Sequence, residues 1–353
     1  MLAWRRYRDH DAILYQPPGS CARGGSVDGR LPPPAFEATY RAFSFPTGVI
    51  SGGGKLSFTT DDLAHALITT GRAPGDQARY GASSAYEWLH RASLIPAYIR
   101  RAYHGGLVRS RLALDLDRSE LVGLSYALGQ AMTAVFCRME VSVSHLLHVD
   151  RYANQYGLWF GTRKRADLFG LSPNGWVVAE AKGRSRSTES TLRGKMEAQK
   201  RSVLSIRGTV PWLSLGCVAS FPIRNGGMQV DAFDPDEAEV DAIVIPATVD
   251  TFMLAYYLPF LALVDVGSSE TSGDAMVASS FAGFGLRVGV LRAVHQRVRN
   301  ATEGGTQGLG EDLQAILSNA PLNELGLFPD GTIVTTDWTE SISIQDWFEE
   351  ATF

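Results

Sequence analysis

Two apolar runs that meet at a turn, in residues 165–186 (RADLFGLSPNGWVVAEAKGRSR), constrain the fold more than any other part of the chain. The Ser-Pro-Asn-Gly sequence between them is typical of a β-hairpin turn. Apolar side chains occupy both faces of the predicted strands: Phe169, Leu171, Trp176 and Val178 on one, and Leu168, Val177, Ala179 and Ala181 on the other. Strands that are apolar on both faces are usually central and covered on both sides. The pattern therefore predicts an α/β protein with this hairpin inside its sheet.

Three charged residues, Asp167, Glu180 and Lys182, lie on the strands of this apolar hairpin. A four-residue loop, Ser172 to Gly175, would place Asp167 opposite Glu180, whereas a tighter Asn-Gly turn would place it opposite Lys182. The two registers differ by two residues, and side chains two apart on a strand share a face. All three charges are therefore expected on one face in either register.

Two carboxylates buried side by side are costly, because at about 4 Å and an effective dielectric of 20 they repel by roughly 4 kcal/mol. Lys182 can offset one negative charge, and a divalent cation bound between Asp167 and Glu180 would remove the conflict. Glu140 is a candidate third carboxylate, since it lies on a mostly apolar stripe of the predicted preceding helix. The residues thus indicate a metal site.

Positive charge is concentrated around the same hairpin. Residues 163–207 contain eleven Lys and Arg against four Asp and Glu, a net charge of +7, so the rest of a chain of net charge −4 sums to −11. A basic patch on an otherwise acidic protein is typical of a surface that meets nucleic acid. A solvated helix face is the alternative explanation of this segment.

The spacing of the three charges resembles that of a known family. Asp167, twelve intervening residues and then Glu180-Ala181-Lys182 are similar to the PD-(D/E)xK signature of restriction-endonuclease-like nucleases, with Ala166 where that family often has proline. The resemblance covers residues 119–233, about a third of the chain. It implies a restriction-endonuclease-like core with a mixed central sheet flanked by helices. The regions expected are an irregular and helical N-terminal region (1–115), the nuclease-like core (116–235) and an acidic C-terminal region (236–353).

The resemblance also implies a chemistry, that of a metal-dependent DNA endonuclease with Asp167, Glu180 and Lys182 as catalytic residues. Asp167, Glu180 and the backbone carbonyl of Ala181, joined by Glu140, would hold Mg²⁺, for which Mn²⁺ can substitute. Lys182 would position or help to deprotonate the attacking water. The residues expected to bind nucleic-acid phosphates are Arg163, Arg184, Arg186, Lys195 and Lys200. Gln199 or Lys200 would be an auxiliary polar residue.

DNA is the expected substrate, and RNA remains open. A partner protein that supplies a motor or sensing function, and a homo-oligomer, are also open. A cytoplasmic role in bacterial restriction or anti-phage defence would fit such an enzyme by analogy with the family. Two non-enzymatic alternatives remain: a cross-strand ion-pair cluster at a solvated sheet end, and a nuclease-like scaffold that binds nucleic acid or a partner protein without cutting.

Other kinds of site have less support in the sequence. His145, His148 and Asp150 have a spacing that could bind zinc, although a histidine pair near a helix end is more often structural. The stretch TGVISGGGKLSF lacks both the first glycine and the Ser/Thr of a phosphate-binding loop. The three cysteines are far apart and form no CxxC pair, which argues against a disulfide framework or structural zinc and favours a reducing cytoplasm.

No membrane segment or secretory signal is expected. The first residues, MLAWRRYRDHDAILY, lack the apolar core and small-residue cleavage site of a signal peptide. The most apolar run, FMLAYYLPFLALV (252–264), has thirteen residues and a proline, whereas a spanning helix needs about 20 residues. We expect this run to be a buried helix.

The remaining elements are predicted from periodicity and turn signals. Residues 16–54, rich in proline and glycine, are expected to be irregular. Helices are expected at 83–104, where Pro96 would break or kink the helix, and at 119–148. A strand is expected at 157–171, a basic helix from Ser187 or Thr188 to Ile206, and strands at 211–221, 228–233 and FGLRVGV (284–290).

Overall fold

The computed structural model describes residues 33–71, 83–150, 166–186, 203–234, 243–270 and 275–343. The strands are β1 (Ala35–Phe43), β2 (Gly53–Thr59), β3 (Ile99–Arg101), β4 (Leu107–Arg109), β5 (His145–His148), β6 (Leu168–Ser172), β7 (Gly175–Arg184), β8 (Val203–Ile206), β9 (Leu213–Ser220), β10 (Gln229–Phe233), β11 (Ile243–Ile245), β12 (Ser268–Glu270), β13 (Met276–Phe281), β14 (Leu286–Leu291) and β15 (Thr332–Thr336). The α-helices are α1 (Thr60–Thr69), α2 (Ser83–Tyr98), α3 (Arg111–Leu114), α4 (Arg118–Val141), α5 (Val249–Val266), α6 (Arg292–Gly304), α7 (Leu309–Asn319) and α8 (Thr339–Ile342).

The largest sheet of the described residues is mixed and has seven strands in the order β2-β1-β10-β9-β7-β6-β5. β7 pairs antiparallel with β6 on one side and parallel with β9 on the other. Strands β6 and β7 therefore lie inside the sheet, as the apolar character of both their faces predicts. The predicted strands at 211–221 and 228–233 are confirmed as β9 and β10, which pair antiparallel.

Helix α4 lies directly against β7, and two glycines allow this close approach. A Cβ atom on Gly129 would lie 2.4 Å from the backbone nitrogen of Gly183, and one on Gly183 would lie 1.6 Å from the carbonyl oxygen of Ser125. Both distances are far shorter than any van der Waals contact. The backbone of α4 is thus held against β7 immediately after Lys182.

The predicted helix at 119–148 is wrong at its C-terminal end. Helix α4 begins at a capping box formed by Asp117 and Glu120, and it ends at Val141 because Ser142 adopts a left-handed conformation with φ 57°. Residues 145–148 form β5, which pairs antiparallel with β6. All four side chains of β5 are buried, so the strand has no alternating pattern to distinguish it from a buried helical turn.

The N-terminal region is also corrected by the structure. Residues 16–54 are predicted to be irregular, but β1 lies within that range, β2 begins in it, and the two strands pair antiparallel. β1 then pairs parallel with β10, which places it in the central sheet. Its side chains alternate strictly between exposed and buried over residues 35–40, a signal of a strand with one face in the core.

The predicted helix at 83–104 and the predicted basic helix that ends at Ile206 both differ from the structure at their C-terminal ends. Helix α2 ends at Tyr98, two residues after Pro96, and residues 99–101 form a strand in place of the predicted helical segment up to His104. Residues 203–206, predicted to end a basic helix, form β8, which pairs parallel with β11. Residues 187–202 lie outside the described residues, as do residues 157–165 of the predicted strand.

The C-terminal region contains a second sheet of four strands in the order β12-β13-β14-β15. The predicted strand FGLRVGV is confirmed as β14, and the apolar run at 252–264 is confirmed as a buried helix within α5. By length and composition α4 and α5 are both apolar enough to cross a membrane, yet 56% of the most apolar stretch of each is buried inside the protein. Core helices of soluble proteins meet the same criterion.

A buried polar network joins the C-terminal region to α1. Nε2 of His65 on α1 lies 2.9 Å from Oδ2 of Asp330, which precedes β15. The hydroxyl of Tyr256 on α5 donates to the same carboxylate oxygen, and the hydroxyl of Tyr257 donates to the Asp330 carbonyl at 2.6 Å. The described residues, which run with gaps from 33 to 343, belong to one compact unit.

Candidate functional site

The pairing of β6 with β7 places Asp167 and Glu180 opposite each other. Leu171 pairs with Trp176 and Leu168 with Ala179, so Asp167, just before β6, faces Glu180 in the same register. The first of the two predicted registers is therefore confirmed, and the register that set Asp167 opposite Lys182 is wrong. Ser172 also pairs with Gly175, and Gly175 takes φ 127°, a conformation that favours glycine at the turn.

Lys182 joins the two carboxylates on the same face of the hairpin. Its ammonium group forms an ion pair with Oε1 of Glu180, and it lies 3.8 Å from Oδ2 of Asp167. The Glu180 side chain is fully buried, whereas 18% of the Asp167 side chain and 27% of the Lys182 side chain are exposed. The three predicted catalytic residues thus converge at a point that opens to solvent through Asp167 and Lys182.

The electrostatics of the pair favour protonation of a carboxyl group at neutral pH. Burial and, to a smaller extent, the neighbouring Asp167 charge raise the pKa of Glu180 to about 8, against the opposing effect of Lys182. Burial also raises the pKa of Asp167 above its ordinary value of 3.8, while the Lys182 charge opposes the shift. The Lys182 ammonium group contacts one carboxyl oxygen of Glu180 and lies farther from Asp167. When both acids are ionised, the single charge of Lys182 therefore balances only one of them.

The backbone of β7 takes part in the same site. The N–H of Ala181 donates to Oδ2 of Asp167 at 3.1 Å. Since the N–H and C=O of one strand residue point to the same side of the strand, the Ala181 carbonyl also points toward the Asp167 side. The predicted carbonyl ligand therefore lies on the side of the strand that faces the acidic pair.

Asp150 is an acid near the site that the sequence reasoning placed only in a possible zinc group. It follows β5, where the N–H of Val149 donates to the carbonyl of Asp167 at 2.8 Å. The charge of Asp150 contributes to raising the pKa of Asp167. The sequence shows an acid directly after the HLLH segment. Because that segment is predicted as helix and not as a strand next to β6, the sequence does not place Asp150 near Asp167.

The structure does not bring Glu140 to the acidic pair. Its Oε2 accepts a hydrogen bond of 2.7 Å from the hydroxyl of Tyr40 on β1, a strand that β10 and β9 separate from β7. In the ranges that the structure describes, no group of three or more His, Cys, Asp or Glu side chains could hold a metal ion. The prediction of Glu140 as a third metal ligand is therefore wrong. The apolar stripe of α4 indicated that Glu140 faces the sheet, but it did not indicate which strand Glu140 would contact.

The possible zinc group at His145, His148 and Asp150 also receives no support. Nδ1 and Nε2 of His145 lie 2.8 Å and 3.0 Å from the hydroxyls of Ser144 and Tyr257. The ring of His148 accepts from the Asp150 N–H and contacts the Tyr126 hydroxyl at 3.2 Å. Burial lowers the pKa of His145 to about 4. These histidines are hydrogen-bonded parts of the core.

The basic residues expected to bind nucleic acid are only partly described. Arg184 is the last residue of β7 and Arg186 lies two residues beyond it, and both are exposed. Arg163, Lys195 and Lys200, together with Gln199, lie outside the described residues. Arg184 lies four residues beyond Glu180, about 13 Å along the strand. Positive charge is therefore available on the same strand as the acidic pair.

The chain was compared with protein-family models, with curated proteins and with solved structures, and none of the three comparisons found a match.

Proposed function

We propose that the protein is a Mg²⁺-dependent nuclease that hydrolyses phosphodiester bonds of DNA, with Asp167, Glu180 and Lys182 as its catalytic residues. One observation carries the proposal: two largely buried acids and a lysine converge on one face of a central hairpin, so that one ammonium group lies beside two carboxyl groups. Burying two acids beside a single positive charge is costly, so such an arrangement is typical of a functional site.

The residues fit a magnesium ion. Mg²⁺ is commonly held by one or two carboxylates with water completing its coordination. Asp167 and Glu180 would supply those carboxylates, and the carbonyl of Ala181 is a further oxygen on the same side of β7. When bound, the ion would stabilise negative charge on the reacting phosphate and favour ionisation of a water molecule.

Lys182 has two functions in this proposal. In the arrangement described here, its ammonium group balances part of the charge of Glu180. With a cation between the acids, the ammonium group is released to orient the attacking water or to assist its deprotonation. Arg184 and Arg186 would contact backbone phosphates of the substrate, which sets the position of the scissile bond without reading sequence.

The fold is consistent with a restriction-endonuclease-like core. Helix α4 precedes β5, β6 and β7, and β9 follows as a strand parallel to β7. Asp167 directly precedes β6, and the Glu180-Ala181-Lys182 tripeptide lies on the adjacent antiparallel strand β7, close to the placement that the family resemblance implies. These features support the proposed relationship.

A second candidate is a nuclease-like scaffold that binds nucleic acid without cutting it. The observation in its favour is the ion pair between Lys182 and Glu180, which partly neutralises the site without a cation. In that case the acids would be structural, and the basic residues alone would give the protein its function.

Incubation of the full chain with supercoiled plasmid DNA or an RNA transcript, in Mg²⁺, Mn²⁺ or EDTA, separates the two candidates. The nuclease predicts metal-dependent cleavage that Glu180→Gln and Lys182→Ala abolish. Matched controls are Glu37→Gln and Lys55→Ala, since Glu37 and Lys55 form an exposed ion pair on β1 and β2 at 2.8 Å. Binding without cleavage under every metal condition would instead identify the scaffold.

A further inference from the structure

A buried arginine lies near the same end of the sheet as Arg184, the last residue of β7. Arg109, at the end of β4, is only 5% exposed, and its guanidinium group lies 4.8 Å from the centre of the Phe221 ring. Its Nη2 donates to the carbonyl oxygen of Arg224 at 2.7 Å, while its Nε has no hydrogen-bond partner among the described residues. A buried guanidinium group is normally paired with an anion.

A second positive charge lies beside Arg109 instead of a negative one. Burial lowers the pKa of Arg109, and the nearby charge of Arg224 lowers it further. Arg224 is exposed, in the loop between β9 and β10. In the described part of the chain no carboxylate forms an ion pair with Arg109, Arg184 or Arg224, although exposed arginines elsewhere, such as Arg41, form such pairs.

The register of the sheet gives the position of this pair relative to the acids. Glu180 pairs with Gly216 on β9, and Phe221 follows five residues later, about 17 Å along the strand direction. The N–H of Phe221 donates to the carbonyl of Arg184 at 3.2 Å, so Phe221 lies beside the end of β7. A distance of about 17 Å is the axial length of roughly five base pairs of DNA.

We propose that Arg109 and Arg224, supported by Phe221, form an anion site that holds a backbone phosphate of a polynucleotide several nucleotides away from the scissile bond. The inference rests on the proposed function, because it takes the polynucleotide at the Glu180 site as the source of the phosphate. The planar guanidinium group of Arg109 is held by Phe221 with its Nε unpaired, and a phosphate oxygen is the kind of acceptor that it lacks. The exposed Arg224 would close over the same phosphate.

Binding of a fluorescently labelled DNA duplex to the full chain, measured by anisotropy in EDTA over a series of salt concentrations, tests this site without requiring cleavage. Arg224→Ala is expected to weaken binding several-fold and to reduce the slope of log affinity against log salt by about 0.9. Arg224→Lys keeps the charge and should bind much more like the unsubstituted protein. Arg299→Ala is the matched control, because it removes one partly exposed charge from α6, where Arg299 pairs with Asp265.

Arg109→Lys tests the buried member of the pair, with circular dichroism as the check on folding. Arg109→Lys should weaken DNA binding while preserving the fold. If this variant does not fold, the Arg224 variants alone test the anion site. The anion site is wrong if Arg224→Ala binds DNA with the same affinity and salt slope as Arg299→Ala, or if the unsubstituted protein does not bind DNA. An Arg224 effect on binding without metal-dependent cleavage would support the anion site and contradict only the nuclease proposal.

Discussion

Asp167 lies directly across the β6–β7 hairpin from Glu180, and the ammonium group of Lys182 contacts the second acid while lying 3.8 Å from the first. Because Glu180 is buried beside a like charge, its pKa rises to about 8. The protein at neutral pH therefore holds a proton where an ionised pair would repel. The proposed cation would replace that proton.

The free energy of unfolding without metal should fall as pH rises from about 6.5 to 8. The pKa of Glu180 is about 8 when folded against 4.5 ordinarily, so the folded state binds more protons and loses stability as pH rises. The expected slope is at most about 1.4 kcal/mol per pH unit. His145, whose pKa falls from 6.5 to about 4, acts in the opposite direction as pH rises from about 4 through 6.5, so its effect fades within the lower part of this window.

Urea unfolding at a series of pH values measures this slope, and Glu180→Gln should flatten it because glutamine does not titrate. Glu37→Gln is the control, since that carboxylate is exposed and its pKa is lowered by Lys55. An equal slope in the unsubstituted protein and in Glu180→Gln would show that Glu180 is not the titrating group.

Binding of Mg²⁺ near pH 7 should release on the order of one proton, because the cation requires ionised carboxylates. Calorimetric titration in two buffers of different ionisation enthalpy measures the number released. Affinity should rise with pH up to about 8, the pKa of Glu180. Metal binding with no proton release, or unchanged binding in Glu180→Gln, would exclude this carboxyl group as the ligand.

Gly129→Ala should strongly destabilise the protein, because its Cβ would lie 2.4 Å from the Gly183 nitrogen and α4 would have to move away from β7. Overpacking of this kind costs about 1–3 kcal/mol or more. Gly123→Ala, in the same helix with nothing within 4 Å of its added Cβ, should instead stabilise the helix by up to about 1 kcal/mol. Thermal unfolding of the two variants should therefore show shifts of opposite sign; similar shifts would mean that α4 does not rest on the β7 backbone.

Asp330→Asn should destabilise the protein by about 3–5 kcal/mol, since it leaves the buried His65 and Tyr256 without their anionic partner. Asp312→Asn breaks an ion pair with Arg297 in which the Asp312 side chain is 57% exposed, and it should cost under about 1 kcal/mol. Chemical denaturation gives both values. A loss in Asp330→Asn as small as that in Asp312→Asn would argue against a structural role for the buried network.

The hairpin and its three charges were predictable because two apolar faces and a turn signal limit the register to two choices. Lys182 and Glu180 share a face in both, so their convergence with Asp167 did not depend on the turn type. The strand β5 was not predictable, since four consecutive buried residues show no period. The position of Glu140 depended on where α4 crosses the sheet, which Gly129 and Gly183 determine through a contact distant in sequence.

The strands β1 and β2 were not predicted, because the amino-acid composition around them is typical of irregular chain. Prolines before β1 and glycines at the start of β2 are typical of irregular chain, yet Phe36, Ala38 and Tyr40 alternate into the core. The proximity of Arg109 and Arg224 was likewise not predictable from the sequence, because they come together only when β4 and the β9–β10 loop meet at one end of the sheet. Such contacts between distant segments have no local signature in the sequence.

The most direct test of the cation site is a crystal of the protein soaked in Mn²⁺ and measured for anomalous scattering. The account predicts an anomalous peak about 2.1 Å from carboxylate oxygens of both Asp167 and Glu180, with the Lys182 ammonium group displaced from Glu180. A Mn²⁺-soaked crystal with no peak between these acids, and with the Lys182–Glu180 ion pair intact, would contradict it.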